Sequence, residues 1–235
     1  VFVSEGTFNL SQDVTMESNV KFEGTVTQPA NKRFILQKGF NYDSYLNAFG
    51  DETVAFKKAF QALLNFADHE SLDLCGRRIS LAEPVDMQAA DPARNSFATR
   101  RVIRNGQFQA ENSSSWATST TTSQGTYSTS NPTRLSNVVN VANVPIGALV
   151  TGTGVGREVY VSGRNIGAKI VYLSAPLYDA EGTQTYSFER FKYLLDFSGF
   201  QSLSQFVMDD IEFQGNGFAS GVMLAPDGIT FHVRD

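Results

Sequence analysis

The sequence has very few cysteine and histidine residues, the side chains that form disulfides and bind structural metal ions. Its single cysteine, Cys75, excludes a disulfide within the chain, and its apolar neighbours indicate a packed thiol. The two histidines, His69 and His232, lie far apart and have no second ligand at metal-binding spacing. We therefore expect no metal site and no cofactor.

Long apolar runs and clusters of basic residues are also missing. The longest nearly uncharged apolar stretches, such as 60–67, are far shorter than the roughly 20 residues of a membrane-spanning helix. Lys and Arg occur at most in pairs such as Arg77–Arg78, and 19 basic against 24 acidic residues give a net charge of −5. We expect neither a membrane span nor nucleic acid as a partner.

What the chain does have is typical of packed strands and turns. Its 235 residues include 19 Phe and 19 Gly, with 41% hydrophobic and only 18% charged residues. This length and composition predict one large domain, or one with a sizeable insertion, in the mainly β class.

Local patterns predict short strands followed by one helix. Residues 1–28 alternate apolar and polar positions between turn-forming residues, as strands do. Apolar residues then recur at three- and four-residue spacing over 52–68, which predicts an amphipathic helix capped by Asp51 or Thr53. Lys57 and Lys58 are expected on its solvent-facing side.

The composition changes abruptly after the next strands. Between Ser113 and Ser130, 13 of 18 residues are Ser or Thr. So polar a stretch favours a flexible, hydrated surface connection; an extended strand whose hydroxyls face sugar or water is the alternative. Short strands broken by glycines follow over 134–191 and predict a compact all-β module.

A weak repeat organises the rest of the chain. The segment Ile103–Phe108 aligns with Met208–Phe213, and Val233 begins the same pattern again. The interval from Asp210 to Asp235 is 25 residues, the length of one coil of a parallel β-solenoid.

These segments carry a resemblance to a known family. The run 51–60, with the strand phrases 72–74, 78–81 and 105–108, resembles the entry segment of pectate-lyase-like right-handed β-helix proteins, and 213–217 with 221–224 resembles their rungs and turns. The segment 143–177 resembles a small β module of phage tail proteins, and together they resemble the N-terminal part of a bacteriophage tailspike. The predicted fold is a right-handed parallel β-helix entry region with one capping α-helix and an inserted all-β module.

The predicted domain organisation follows from this resemblance. N-terminal strands occupy 1–50, as an added first coil or a separate small β element. The capping helix and first coils occupy 51–110, the inserted module with its Ser/Thr-rich lead occupies 111–195, and resumed coils occupy 196–235. Because the chain begins at Val1 in a strand and stops within a repeat, we expect it to be a truncated piece of a longer protein.

The resemblance implies a virion protein that recognises a bacterial surface polysaccharide, a capsule or an O-antigen. Tailspikes are homotrimers attached to tail or baseplate proteins, and the full-length form is expected to depolymerise its polysaccharide as an endoglycosidase or lyase. The alternatives are a non-catalytic adhesin or structural connector of the tail, and a secreted bacterial polysaccharide lyase.

Two sets of residues are candidates for these activities. Strand alternation would place Asp210 and Glu212 on one face and Asp209 on the other. The first two could form a carboxylate pair for glycosidic hydrolysis, or else belong to a solvated polar ladder.

Aromatic rings stack on the C–H faces of sugars. The carbohydrate-binding candidates are Trp116, Tyr127, Tyr160 and Tyr172. The alternative is that these rings only pack the strands.

Overall fold

The computed structural model describes residues 1–234 and is mainly β, with three α-helices in that range. The chain divides into two compact units, one made of Val1–Ser115 and Tyr193–Asp235 and the other of Trp116–Lys192. The second unit lies within the range 111–195 that we predicted for the insertion.

The elements of the first unit before the second unit begins are β1 (Phe2–Val3), β2 (Thr7–Asn9), β3 (Val14–Met16), β4 (Lys21–Phe22), β5 (Thr25–Thr27), β6 (Phe34–Leu36), α1 (Tyr42–Phe49), α2 (Glu52–Asn65), β7 (Ser71–Leu81), β8 (Val85–Asp86), α3 (Met87–Ala90), β9 (Ser96–Phe97) and β10 (Arg101–Ala110). The strands of the second unit are β11 (Ser119–Tyr127), β12 (Arg134–Ser136), β13 (Leu149–Thr151), β14 (Val161–Asn165), β15 (Ile170–Leu173) and β16 (Gly182–Arg190). The first unit resumes with β17 (Tyr193–Asp196), β18 (Ser202–Leu203), β19 (Phe206–Gln214), β20 (Ser220–Met223) and β21 (Phe231–Arg234).

The N-terminal strands form a small coiled element of their own. Strands β1, β2 and β3 pair in turn with β4, β5 and β6, and every pair is parallel. None of these pairs extends to a later strand within residues 1–234. These six strands are thus wound as two short coils whose pairing stays among themselves.

Two consecutive helices follow, and the first was not predicted. The side chain of Asn41 accepts a hydrogen bond from the Ser44 backbone N–H at 2.9 Å, and Gly50 ends α1 in the left-handed conformation with φ 70°. Between these caps the helix is rich in Tyr, Asn and Phe, which are weak helix formers. Apolar periodicity alone therefore gave no signal over so short a helix.

The second helix confirms the predicted start but ends earlier than expected. Asp51 accepts a hydrogen bond from the Val54 N–H at 2.8 Å and caps the helix. Phe66 has an extended backbone, φ −117° and ψ 120°, so α2 ends at Asn65 rather than near Asp68.

The apolar stripe of α2 packs on the coils of the same unit. Phe56 and Phe60 are fully buried. The Phe56 ring centroid lies 4.9 Å from that of Phe108 in β10, and the Phe60 centroid lies 6.0 Å from that of Phe206 in β19. These edge-on aromatic contacts, together with the buried area, hold the helix against the strands.

The expectation that Lys58 faces solvent is wrong, since only 4% of this residue is exposed. Its Nζ donates hydrogen bonds to the backbone carbonyls of Pro29, at 2.7 Å, and of Lys32. Burial lowers the pKa of the Lys58 ammonium to about 8. The amine therefore ties α2 to the loop between β5 and β6, because those carbonyls replace its water.

The remainder of the first unit winds through three parallel sheets. Their strand orders are β7–β10–β19–β21, β8–β17–β20 and β9–β18. The chain passes through the three sheets in sequence at β7, β8 and β9, returns to the first sheet at β10, and repeats the circuit with β17, β18 and β19. Asp209 in β19 lies opposite Arg234 in β21, 25 residues later in the chain.

Successive coils bury side chains at matching positions of the first sheet. Leu72, Ile103 and Met208 lie opposite one another in the register and are fully buried. Phe108 and Phe213 are also opposite, with stacked rings whose centroids are 5.9 Å apart. The inward rows thus build a continuous core along the stack.

The Ser/Thr-rich stretch is ordered, which corrects our preferred interpretation of a flexible connection. It contains β11, whose nine residues pair antiparallel with β16, from Ser119 opposite Arg190 to Tyr127 opposite Gly182. Threonine is a β-branched residue that suits strands, and the inward positions Ser123 and Tyr127 are buried. Cross-strand hydrogen bonds and the burial of these inward side chains offset the entropy that is lost when the stretch becomes ordered. The composition of the stretch does not reveal either contribution.

The six strands of the second unit form one antiparallel sheet that closes on itself. Their order is β13–β16–β11–β12–β15–β14. Closure comes from an antiparallel bridge between Leu149 and Tyr160 and from the Val161 N–H, which donates to the Ala148 carbonyl at 2.9 Å. The enclosed core is built largely of valine, with the fully buried rings of Tyr186 and Phe188 among its members.

Within residues 1–234, no helix combines the length and the apolar character that crossing a bilayer would require.

Candidate functional site

From the level of Asp73, Arg104, Asp209 and Arg234 onward, the outward side chains of the sheet formed by β7, β10, β19 and β21 are polar and stand in rows, and we call this surface the polar face. Each row runs along the stack, one residue per coil, so a ligand lying on it would meet a regular series of hydrogen-bonding groups. Opposite positions in the register give the rows Asp73, Arg104, Asp209, Arg234; Arg78, Gln107, Glu212; and Ser80, Gln109, Gln214.

The first row alternates in charge. An Arg104 Nη2 lies 3.0 Å from an Asp73 carboxylate oxygen, and the Arg234 Nε donates to the Asp209 Oδ1 at 2.9 Å. The arginines are about half exposed, so each pair contributes at most about 1 kcal/mol to stability. Their exposed guanidinium edges remain available as donors.

Amides bind both carboxylate oxygens of Glu212 in the second row. The Gln107 Nε2 donates to Oε2 at 2.6 Å, and the Gln214 Nε2 donates to Oε1 at 2.7 Å. Glu212 is exposed, but its carboxylate is engaged as a hydrogen-bond acceptor within the polar face. This is the arrangement of a polar ladder, the alternative that the sequence left open.

Each of the long strands β7, β10 and β19 contains a residue in the left-handed conformation, at matching positions along the stack. This bend shows that the predicted faces of Asp209 and Asp210 are wrong. The φ angles of Cys75, Asn105 and Asp210 are 59°, 57° and 53°. Because this bend breaks the two-residue alternation, Asp209 and Glu212 both point outward to partners on the polar face. Asp210 occupies the bend itself and is exposed.

The structure therefore does not place Asp210 and Glu212 as consecutive outward positions of one regular strand. Glycosidic hydrolysis needs one protonated carboxyl and one free carboxylate across the scissile bond. Here Glu212 is held by two amides, and Asp210 is at a backbone bend. The geometry suits recognition of hydroxyl groups better than acid–base chemistry.

Two of the aromatic candidates are buried. Only 4% of Trp116 and 1% of Tyr127 is exposed, so neither presents a ring face to a sugar. The Tyr127 hydroxyl donates to the Pro132 carbonyl at 3.2 Å and accepts from the Leu177 N–H at 3.1 Å. Tyr127 is thus a packing and positioning residue for these two loops of the second unit.

The other two candidates lie at the surface of the second unit. Tyr172 in β15 is 41% exposed and lies opposite Arg134 of β12. Tyr160 is half-buried, and its hydroxyl donates to the Glu158 carboxylate. Both side chains point away from a core that contains their neighbours Val161 and Val171.

The acidic, histidine and cysteine residues form no cluster of three or more that could hold a metal ion within residues 1–234. His69 is buried, stacks on Phe40 with ring centroids 3.8 Å apart, and has its Nε2 2.7 Å from the Leu36 carbonyl oxygen. Burial lowers the pKa of its imidazole. This histidine is part of the packing between the end of α2 and β6.

The partners of the candidate acids were missed from the sequence although a signal for them existed. Aligning 103–108 with 208–213 places Arg104 beside Asp209 and Gln107 beside Glu212. If the aligned residues of the repeat are assumed to lie opposite one another on neighbouring strands, the sequence alone identifies the Arg104–Asp209 and Gln107–Glu212 pairs.

Comparison of the sequence with models of known protein families gives no match, and comparison with curated proteins gives none either.

Proposed function

We propose that the chain belongs to a tailspike-type virion protein with a right-handed parallel β-helix, and that it recognises a bacterial surface polysaccharide. The observation that carries this proposal is the in-register polar face on stacked parallel coils. Crossover connections between parallel strands of one sheet are right-handed in about 98% of cases, which supports right-handed winding of the coils.

A repeating glycan suits such a surface. Its hydroxyls need donors and acceptors at regular intervals, and the rows supply guanidinium, amide and carboxylate groups once per coil. Arg78 is exposed and forms no ion pair within residues 1–234, so its guanidinium is free to bind ligand oxygens. Homotrimer formation, attachment to tail or baseplate proteins and depolymerisation by the whole protein are further parts of the proposal.

Binding of purified capsule or O-antigen by the 235-residue protein, measured by co-sedimentation or calorimetry, tests the proposal. Arg78→Ala should weaken binding several-fold, while Lys38→Ala, which also removes an exposed cation, should leave it unchanged. Absence of binding to any polysaccharide would instead support a structural connector.

Chemistry at the candidate acids is tested separately by oligosaccharide release. We expect Asp210→Asn to leave both binding and any release unchanged, and Glu212→Gln, which removes a carboxylate of the polar face, to weaken binding without abolishing release. Loss of release with retained binding would make these two residues catalytic. Sedimentation showing a stable dimer would contradict the homotrimer.

A further inference from the structure

Tyr178 is the most exposed aromatic ring of the second unit, with 72% of the residue accessible. It follows Leu177 and precedes Asp179, and the nearby Leu177 and Ala180 are buried in the core of the closed sheet. An aromatic ring held outward between two buried anchors costs hydrophobic free energy unless something covers it.

The backbone that carries this ring is fixed by hydrogen bonds. The Leu177 N–H donates to the Tyr127 hydroxyl at 3.1 Å. The Tyr178 N–H donates to the Val155 carbonyl at 3.0 Å, and the Asp179 N–H donates to the Gly154 carbonyl at 2.7 Å. The exposed ring therefore projects from a rigid support and not from a loose loop.

Two glycines in the supporting loop let it approach this closely. Gly154 and Gly156 have φ angles of 72° and 59°. A Cβ on Gly156 would lie 2.7 Å from the Tyr178 Cβ, and a Cβ on Gly154 would lie 2.5 Å from the Asp179 carbonyl oxygen. Any other residue would push the loop away from the tyrosine.

Charged groups stand next to the ring. The Arg157 Cζ lies 5.9 Å from the Tyr178 ring centroid, in cation–π range, and Arg157 forms no ion pair within residues 1–234. Arg157 and Glu158 also line an open groove of about 370 Å³ that runs beside Thr151 and Gly152. The groove and the ring thus share one guanidinium.

We propose that Tyr178, Arg157 and Glu158 form a subsite for a pyranose ring that bears a carboxylate, as in a uronic acid. The sugar stacks on the exposed Tyr178 plane, its carboxylate accepts hydrogen bonds from the Arg157 guanidinium, and its hydroxyls donate to Glu158. This inference rests on the proposed function, because it names the sugar class that the protein would recognise.

The test uses methyl β-glucuronide as the probe, titrated into the 235-residue protein and followed by NMR. We expect saturable shifts of the Tyr178 and Arg157 signals, with a dissociation constant on the order of millimolar. Tyr178→Ala should weaken binding at least tenfold. Arg157→Met should remove the preference for the glucuronide over methyl β-glucoside, which lacks the carboxylate.

Ile166→Ala is the matched control, because it removes another exposed apolar side chain of the same unit and has no place among the candidate sugar-binding residues. It should bind as the unaltered protein does, and thermal unfolding should show all three variants folded. Unchanged binding by Tyr178→Ala, equal affinity for glucuronide and glucoside, or no binding by the unaltered protein would overturn the subsite. Capsule binding that persists in any of these cases would leave the proposed function intact.

Discussion

The Gln107 amide donates a 2.6 Å hydrogen bond to Glu212, a residue 105 positions later in the chain. The bond joins neighbouring coils of the first unit, although the whole second unit lies between them in sequence. A second amide, from Gln214, completes the engagement of the carboxylate.

Removing this acceptor should affect stability. We expect Glu212→Ala to lower the free energy of unfolding by about 1 kcal/mol, because two amides lose a charged partner at a water-accessible site. Chemical denaturation measures the change. Glu17→Ala, an exposed glutamate with no hydrogen-bond partner within residues 1–234, should have no effect, and equal effects of both variants would contradict the ladder.

The backbone at Asp210 gives a separate prediction. Asn and Gly accept the left-handed conformation, whereas β-branched residues do not. We expect Asp210→Asn to be neutral and Asp210→Val to lower the free energy of unfolding by about 1–2 kcal/mol. The two variants lose the same charge, so a difference between them in denaturation curves reports the backbone alone; identical curves would rule out this origin.

The packing of α2 is tested at Phe60. Phe60→Ala should cost about 3–5 kcal/mol, since a fully buried ring is deleted from the core. Phe60→Asp should prevent soluble expression, because it would bury an unpaired charge. Val54→Asp on the exposed side of the same helix should express normally. A soluble, folded Phe60→Asp protein would show that the helix is not needed to cover the coils.

Lys58 predicts an unusual response to alkali. Its pKa is about 8 in the fold and near 10.5 when unfolded, so between these values the unfolded chain binds more protons. Stability should therefore rise from about pH 8, by at most about 1.4 kcal/mol per pH unit. Burial raises the pKa of Tyr42 and Tyr45, so above about pH 10 the unfolded chain loses their phenolic protons before the folded protein does. The free energy of unfolding therefore falls again above about pH 10, which ends the rise due to Lys58.

Denaturation at a series of pH values between about 7 and 10 measures this slope. Lys58→Met should be less stable at neutral pH, because two carbonyls lose their donor, and should lack the rise. A rise of the same size in Lys58→Met would assign it to another group.

The second unit should fold alone. Its first and last strands lie side by side, with Ser119 opposite Arg190, and its core is enclosed by its own closed sheet. Residues 116–192, expressed as an isolated protein, should unfold cooperatively and give dispersed amide NMR signals. A collapsed or aggregated product would show that the first unit is required.

The sequence predicted what depends on local pattern. The alternation of apolar and polar residues predicted the mainly β class, and apolar periodicity predicted the start of α2 after Asp51. The short strands separated by glycines predicted most of the strands of the second unit. The prediction of a flexible connection from Ser/Thr composition was wrong for β11. Its nine residues are ordered by backbone pairing with β16, which composition does not reveal.

The candidate sites depended on distant partners that local pattern does not contain. The face of Asp209 was inverted by a left-handed bend at Asp210, and the burial of Tyr127 follows from closure of the sheet. Lys58 was misplaced because its partners, two backbone carbonyls in the range 29–32, carry no side-chain signal. The exposure of Tyr178 likewise follows from the hydrogen bonds that its backbone makes with a separate loop.

The alternating charges of the first row have a consequence for how the coils assemble. If β7 paired with β19 in the same register, Asp73 would face Asp209; if β10 paired with β21, Arg104 would face Arg234. Either wrong neighbour brings like charges together, so the row disfavours pairing that skips a coil and favours pairing between consecutive coils. This ordering matters most at β10, whose partner β19 is synthesised only after the entire second unit has emerged.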